Sequence, residues 1–443
     1  MNTHPIGRFS IEQLGQPTTP SPLDRETEYN FVKDEDRIAM SPIVGKKHPL
    51  HQDIGQHLDD ESFEIAGPRS FVYFNPPKSR AAIVTCGGLC PGINAVVRSI
   101  VLHLWYRYNC RSVLGIRYGY NGLSEDAEAP LRLDPELVSS IHLDGGTILG
   151  SSRGAPPVDT MVNYLVRHQI DMLFTIGGDG TMRGANALWE EVKRRNLKIA
   201  IVSLPKTIDN DIPFVRRSFG FETAVATATT AIHSAHVEAT GVPYGLGLVK
   251  LMGRHAGYIA ATACLATGHA NLCLIPEVPF DLEGEHGILA FIENRLHERR
   301  HAVVVVAEGA GQKYVAPAAD KKDASGNLKL GDIGLFLRDR INAHFASKKM
   351  DVTLKYIDPS YMIRSAAAHP NDQLHCARLA QNAVHAAMAG KSGLLIGYWH
   401  GLMTHVPTRA LSGINQRVNP RGELWFNVLE MTGQPAQLVA RTP

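Results

Sequence analysis

Residues 171–184 read DMLFTIGGDGTMRG, an apolar run that ends abruptly in glycines set around one carboxylate and one hydroxyl. The run from Asp171 to Ile176 has the near-continuous hydrophobicity of a strand covered on both faces, and a helix is predicted from about Thr181. The same alternation spreads outward in both directions. Strands are predicted at AAIVT (81–85), IAIVSL (199–204), GLGLVK (245–250), NLCLI (271–275), AVVVVA (302–307) and SGLLIGYW (392–399). Helices are predicted from about Pro91 and around 221–239, 255–267 and 374–389. Strands buried on both faces mean a parallel sheet covered by helices, so the fold class is α/β. The first 75 or so residues, rich in Pro, Asp, Glu and His without sustained periodicity, read as an arm. Gly390 suits a helix C-cap, and KKDASGNLKL (321–330) an exposed hairpin or loop.

A chain of 443 residues carries a prior of about three domains. Its 45 Lys and Arg against 43 Asp and Glu leave +2, with no long block of like charge, which argues against nucleic acid or an anionic membrane as partner. Apolar residues at 44% and charged residues at 20% exclude a disordered chain. The start, MNTHPIGRFS (1–10), has no basic segment leading into an apolar run, and no stretch reaches the ~18 apolar residues of a membrane helix, so neither secretion nor membrane spanning is expected. Cys86, Cys90, Cys110, Cys264, Cys273 and Cys376 are too scattered for a disulfide framework, and Cys86/Cys90 lacks a second pair at zinc-ligand spacing. They are expected to be reduced thiols in a cytoplasmic protein.

Ligands of open parallel sheets sit beyond the carboxyl ends of the strands, so the loops there carry the functional reading. Gly87-Gly88-Leu89-Cys90-Pro91-Gly92 ends the first strand and opens a helix whose N-terminus can meet an anion, although such turns are often only tight turns. In the second loop, Asp179 stands among glycines that admit phosphate; the carboxylate would repel it unless a divalent cation lay between, which points to Mg²⁺. A helix N-cap would also account for Asp179. The third, Pro205-Lys206-Thr207-Ile208-Asp209-Asn210-Asp211, packs two carboxylates, a cation, a hydroxyl and an amide together, enough for proton transfer and charge neutralisation on a phosphoryl group. Beyond these, LMGRHAG (251–257), AEG (307–309) and YMIR (361–364) offer arginines for phosphate and a glutamate for sugar hydroxyls. Two strings are coincidences: HERRH (297–301) imitates a zinc protease but runs straight into a buried strand, and Gly390-Lys391-Ser392 imitates a P-loop whose first glycine would fall at His385, inside a helix.

From about Arg80 onward the chain resembles the 6-phosphofructokinases, through GGLCPGINAVVR, GGDGT, PKTIDND, FGFETA, LMGRHAG, AEG and YIDPSYMIR in family order. The arm, Lys206 and YIDPSYMIR make it most similar to the long branch of trypanosomatid and plant ATP-dependent enzymes and their pyrophosphate-dependent relatives. The resemblance implies phosphoryl transfer from a Mg²⁺-bound donor to the 1-hydroxyl of fructose 6-phosphate. It makes Asp209 the general base, has Asp179 hold Mg²⁺, brings Thr207 to the acceptor, and has Arg254 and Lys206 stabilise the moving charge. Met252, Gly253 and Glu308 would hold the sugar, and Tyr361 and Arg364 its 6-phosphate. Gly87, Arg153, Gly180, Thr181 and Gly184 would line the donor, with Tyr120 beside the nucleotide. Where short bacterial enzymes draw two arginines from a neighbouring subunit, the aligned positions here are Lys355 and about Gly245.

Within the family the residue after the loop aspartate is glycine in ATP users and aspartate in pyrophosphate users, so Gly180 favours ATP. Lys206 is shared with pyrophosphate users, which keeps pyrophosphate as the alternative donor. NAD kinases and lipid kinases share GGDGT but not the later motifs, and retention of Asp179, Asp209 and Arg254 argues against a regulatory subunit without activity. The implied architecture is two doubly wound, Rossmann-like α/β domains with the active site in their cleft. The donor domain spans 79–222, completed by 364–413, the fructose 6-phosphate domain 223–363, completed by 414–443, and an N-terminal arm 1–78. A homo-oligomer, commonly a tetramer in this family, is expected.

Overall fold

The computed structural model describes residues 9–25, 31–41, 61–315, 330–411 and 415–439; all of the loop expected at 321–330 except Leu330 lies outside the described residues. Up to residue 78 come short strands: β1 (Glu12–Gln13), β2 (Thr19–Pro20), β3 (Arg37–Ala39), β4 (Ser62–Ile65) and β5 (Phe71–Val72). Strands and helices then alternate: β6 (Arg80–Thr85), α1 (Ile93–Arg107), β7 (Ser112–Ile116), β8 (Leu131–Arg132), α2 (Val158–Arg167), β9 (Met172–Gly177), α3 (Asp179–Arg194) and β10 (Ala200–Pro205). Next are α4 (Phe221–Thr240), β11 (Gly245–Leu251), α5 (Tyr258–Thr267), β12 (Leu272–Leu274), α6 (Ile288–Arg299), β13 (His301–Ala307), α7 (Ile333–Ser347) and β14 (Thr353–Ile357). The chain closes with α8 (Ser360–Ser365), α9 (Pro370–Met388), β15 (Lys391–Ser392), β16 (Leu394–Trp399), β17 (Leu402–Pro407) and α10 (Glu423–Thr432).

Contacts divide the chain into two units. The first comprises Met1–Thr207, Ile212–Gly220 and Arg364–Ile414, the second Ile208–Asp211, Phe221–Ile363 and Asn415–Pro443. The sequence expectation kept 208–211 with the donor domain and set 1–78 apart as an arm. In the structure 208–211 go with the second unit, and β3 and β4 extend the first unit's sheet.

That sheet has nine strands in the order β3-β4-β17-β16-β10-β9-β6-β7-β8. Its middle, β16-β10-β9-β6-β7, is parallel, and the strands on either side join antiparallel. Every residue of β9 and β10 is buried, which is why both read as unbroken apolar runs. Ala82, Leu173 and Ile201 face Met161 and Leu165 of α2 and Leu188 and Val192 of α3, each buried Leu, Ile, Val or Met side chain contributing about 1.5–3 kcal/mol. Helices α1 and α9 pack together, and α9 also packs on β10. SGLLIGYW, expected as one strand, is cut into β15 and β16 because Gly393 takes φ +68. The second unit holds a parallel four-stranded sheet, β12-β13-β11-β14. Leu248, Val304 and Val306 pack there against Ile292 and Leu296 of α6 and Leu337 and Ile341 of α7. Among the described residues no helix is long and apolar enough to cross a membrane, and all six cysteines are free and buried.

A buried charge network fastens β4 into the first unit. Glu64 Oε1 lies 2.8 Å from Arg69 Nη2, 3.2 Å from Lys391 Nζ and 3.0 Å from His405 Nδ1, while Lys391 Nζ also reaches Asp34 Oδ2 at 2.8 Å. The lysine of the P-loop imitation is therefore structural. Burial alone would raise the pKa of Glu64, but the His405 hydrogen bond and the charges of Lys391 and Arg69 outweigh it and hold it at about 2. Because folding depresses this pKa from 4.5, the stabilisation is complete above that value and drains away as pH falls toward 2. Glu64→Gln should cost about 3–5 kcal/mol at neutral pH and flatten the thermal midpoint against pH below 4.5. An unchanged acid limb would refute the assignment.

Candidate active site

In the first unit the glycine loop after β6 is shaped by positive φ at Gly87 (+82) and Gly92 (+101). Gly92 cannot be helical in that conformation, so α1 starts at Ile93 rather than at about Pro91. The Gly87 N–H donates to Ser152 O at 3.0 Å, and Ser151 Oγ donates back to Gly87 O, which lays the GSSRG segment along the loop. A Cβ placed on Gly88 would lie 4.0 Å from Arg153 Nη2. From β10, the buried Lys206 donates its Nζ proton to Gly88 O at 2.6 Å. Burial pushes the Lys206 ammonium down, and the charges of Arg364 and Arg153 push the same way. Arg153 and Arg364 thus both act on Lys206, which touches the glycine turn, an arrangement that attracts phosphate.

Helix α3 begins at Asp179, two residues before the expected start, with Gly178 as N-cap, so Asp179 and Gly180 form its first turn. A Cβ on Gly177 would fall 2.0 Å from Thr181 Oγ1, which makes glycine obligatory where β9 turns into α3. Thr181 is buried, its side chain folded back on that glycine. Asp179 is half-exposed and pairs with Arg183, one turn on. Sequence reading passed over Arg183, although i,i+4 spacing to the carboxylate was its signal. A Cβ on the exposed Gly180 would meet nothing nearer than Arg183 Nη2 at 3.8 Å.

Two expected donor contacts are placed differently. Tyr120 is buried, its hydroxyl donating to Thr181 O at 2.8 Å, and burial pushes its phenol well above the usual range. Its ring would lie 2.6 Å from a Cβ on Gly184, so Gly184 makes room for the tyrosine. Tyr120 supports α3 from the core side; a nucleotide contact was the sequence expectation. Among the described residues no three His, Cys, Asp or Glu side chains form a metal-binding group. A single half-exposed carboxylate whose partner is a half-exposed arginine nevertheless fits Mg²⁺, which usually takes one or two carboxylates and fills its shell with water and phosphate oxygens.

In the second unit Asp209 Oδ2 accepts the Arg254 backbone N–H at 3.2 Å. The LMGRHAG and AEG segments, following the paired strands β11 and β13, are tied together by Glu308 N–H to Leu251 O (2.9 Å) and Gly309 N–H to Gly253 O (3.1 Å). Gly253 has φ +128, and a Cβ on Gly309 would strike Arg254 O at 2.0 Å. Asp209, Met252, Gly253, Arg254 and Glu308 are thereby gathered. Lys355 is exposed on β14, in register with Gly247, and Tyr361 is 82% exposed on α8. A Cβ on Gly245 would lie 2.1 Å from Ala239 O of α4, so no side chain fits at this position. Thr207 ends the first segment of the first unit, its carbonyl accepting from Ser218 Oγ at 2.6 Å.

An α/β protein whose post-strand loops carry glycines, lysine, arginine and aspartate has the parts of a phosphoryl-transfer enzyme. The chain belongs to the phosphofructokinase family, whose family pattern matches residues 80–387. It is 47% identical over 441 residues to the ATP-dependent 6-phosphofructokinase of Borreliella burgdorferi, covering 97% of each chain. It is 46% identical over 441 residues to ATP-dependent 6-phosphofructokinase 1 of Arabidopsis thaliana, covering 97% of this chain and 90% of that one. A solved pyrophosphate-dependent phosphofructokinase from Marinobacter aquaeolei shares the fold, with TM-score 0.66 at 20% identity over 80% of this chain and 91% of that one.

Proposed function

We propose that this chain is an ATP-dependent 6-phosphofructokinase that phosphorylates the 1-hydroxyl of fructose 6-phosphate to give fructose 1,6-bisphosphate. The observation that carries the reading is 47% identity to such an enzyme over 97% of both chains. Asp209 takes the proton of the 1-hydroxyl as its oxygen bonds to the γ-phosphorus, and the bond to the β–γ bridging oxygen breaks to leave ADP. Lys206 and Arg254 neutralise charge on the moving group, and Thr207 orients the acceptor. Met252, Gly253 and Glu308 hold the sugar, with Tyr361, Arg364 and Lys355 as contacts for its 6-phosphate. Gly87, Arg153, Gly180 and Thr181 line the donor. Mg²⁺ held by Asp179 supplies charge neutralisation on the donor phosphates. The protein acts in the cytoplasm as a homo-oligomer, a tetramer by family habit.

Pyrophosphate as donor is the second reading, favoured by Lys206 at the glycine loop. Initial rates of fructose 1,6-bisphosphate formation, with Mg²⁺ and either ATP or pyrophosphate, separate the two. Turnover with ATP alone is expected. Turnover with pyrophosphate alone would mean that Lys206 outweighs Gly180, and silence with both would overturn the enzymatic reading.

A further inference from the structure

One half-buried side chain outside every motif read from the sequence joins the segments that carry the acceptor residues. We propose that Glu277, in the stretch Ile275-Pro276-Glu277-Val278 after β12, is a positioning residue for the acceptor site, closing a ring of hydrogen bonds that grips the Asp209 loop from both sides. The proposal rests on the phosphofructokinase reading above.

The ring lies wholly within the second unit. On one side Asp209 Oδ2 accepts the Arg254 N–H at 3.2 Å. Three residues further on, the Gly257 N–H donates to Glu277, 3.0 Å from Oε1 and 3.2 Å from Oε2. The same Oε1 accepts the Val418 N–H at 2.8 Å. Two residues before Val418, the Gln416 N–H donates to Asp211 O at 2.8 Å, which returns the ring to the Asp209 loop. Both grips on residues 209–211 are therefore anchored in one carboxylate.

The chemistry requires a glutamate. Its carboxylate is acceptor-only, whereas a glutamine would turn an NH₂ toward one of the amide donors. Gly257 is the N-cap of α5, where the helix dipole favours negative charge. A Cβ on Gly257 would lie 2.4 Å from Ile275 Cβ and 3.1 Å from Glu277 Oε2, so the backbone approaches this closely only as glycine. Burial pushes the Glu277 carboxyl up, against the opposing pull of the Gly257 and Val418 N–H groups and of Arg417.

The test is steady-state kinetics of the full chain and its Glu277→Gln variant, varying each substrate in turn. Loosening the ring should raise KM for fructose 6-phosphate about tenfold and leave KM for ATP within about twofold, since hydrogen bonds to a charged acceptor are worth roughly that factor. Glu277→Asp, which keeps the charge with a shorter reach, should fall between wild type and Gln, and it replaces Gln if that variant does not fold. An active wild type with an unchanged KM for fructose 6-phosphate in the variant overturns the proposal alone. So does an equal rise in both Michaelis constants, or loss of fold in both variants, either of which makes Glu277 a general brace. A wild type that leaves fructose 6-phosphate untouched sinks the functional reading and this proposal with it.

Discussion

Asp209→Asn should lower kcat by about 10²–10⁴ while KM for fructose 6-phosphate stays within a few-fold, the pattern of a lost general base. Asp209 Oδ2 accepts the Arg254 backbone N–H, which orients the carboxylate. Asparagine keeps the shape and an acceptor for the Arg254 N–H but cannot take the proton of the sugar hydroxyl. Asp209→Ala should be as slow; because it also leaves the Arg254 N–H without this acceptor, it should cost about 1–3 kcal/mol of stability as well. Met252, Gly253 and Glu308 are intact in both variants, so sugar binding should survive, as read by retained protection of the variant by fructose 6-phosphate in thermal unfolding. Turnover near wild type in the asparagine variant would remove Asp209 from the base role.

The central strands were legible because burial on both faces writes itself into sequence as an unbroken apolar run, as in β9 and β10. The edges were not. Strands β3 and β4 join the sheet antiparallel through pairings between residues far apart in the chain, which no local window carries. Glycines were read as phosphate cradles, and geometry divides them by what fills their side-chain direction. Gly180 faces open space beyond Arg183, whereas Gly184 faces the Tyr120 ring. Spacing does not distinguish the two. Glu277 escaped notice for a related reason: its partners are backbone N–H groups, and these leave no trace in residue type.

Gly180→Asp should cut ATP-supported turnover by about five- to a thousandfold and leave the fold intact, and the two effects have separate physical grounds. Sterically the site accepts the change, because the atom nearest to an added Cβ is the tip of a flexible arginine at 3.8 Å. Energetically the folded state should gain: glycine in a helix costs about 0.5–1 kcal/mol relative to alanine, and a carboxylate in the first turn is worth about 0.3–1 kcal/mol. A thermal midpoint at or above wild type would therefore assign any lost activity to charge in the donor path. Two unit charges about 4 Å apart repel by about 1 kcal/mol in water and about 4 kcal/mol at an effective dielectric of 20, which sets the range of the expected loss. Arg183 complicates the outcome in an informative way. The new carboxylate would compete with Asp179 for its guanidinium and be partly neutralised by it, so Gly180→Asp with Arg183→Met should lose more ATP turnover than the two single changes combined. Pyrophosphate, which has no α-phosphate to repel, should lose nothing as a donor in either background. ATP turnover unaffected by the carboxylate would mean that position 180 does not choose the donor, and that the choice lies with Lys206 and the loop it touches.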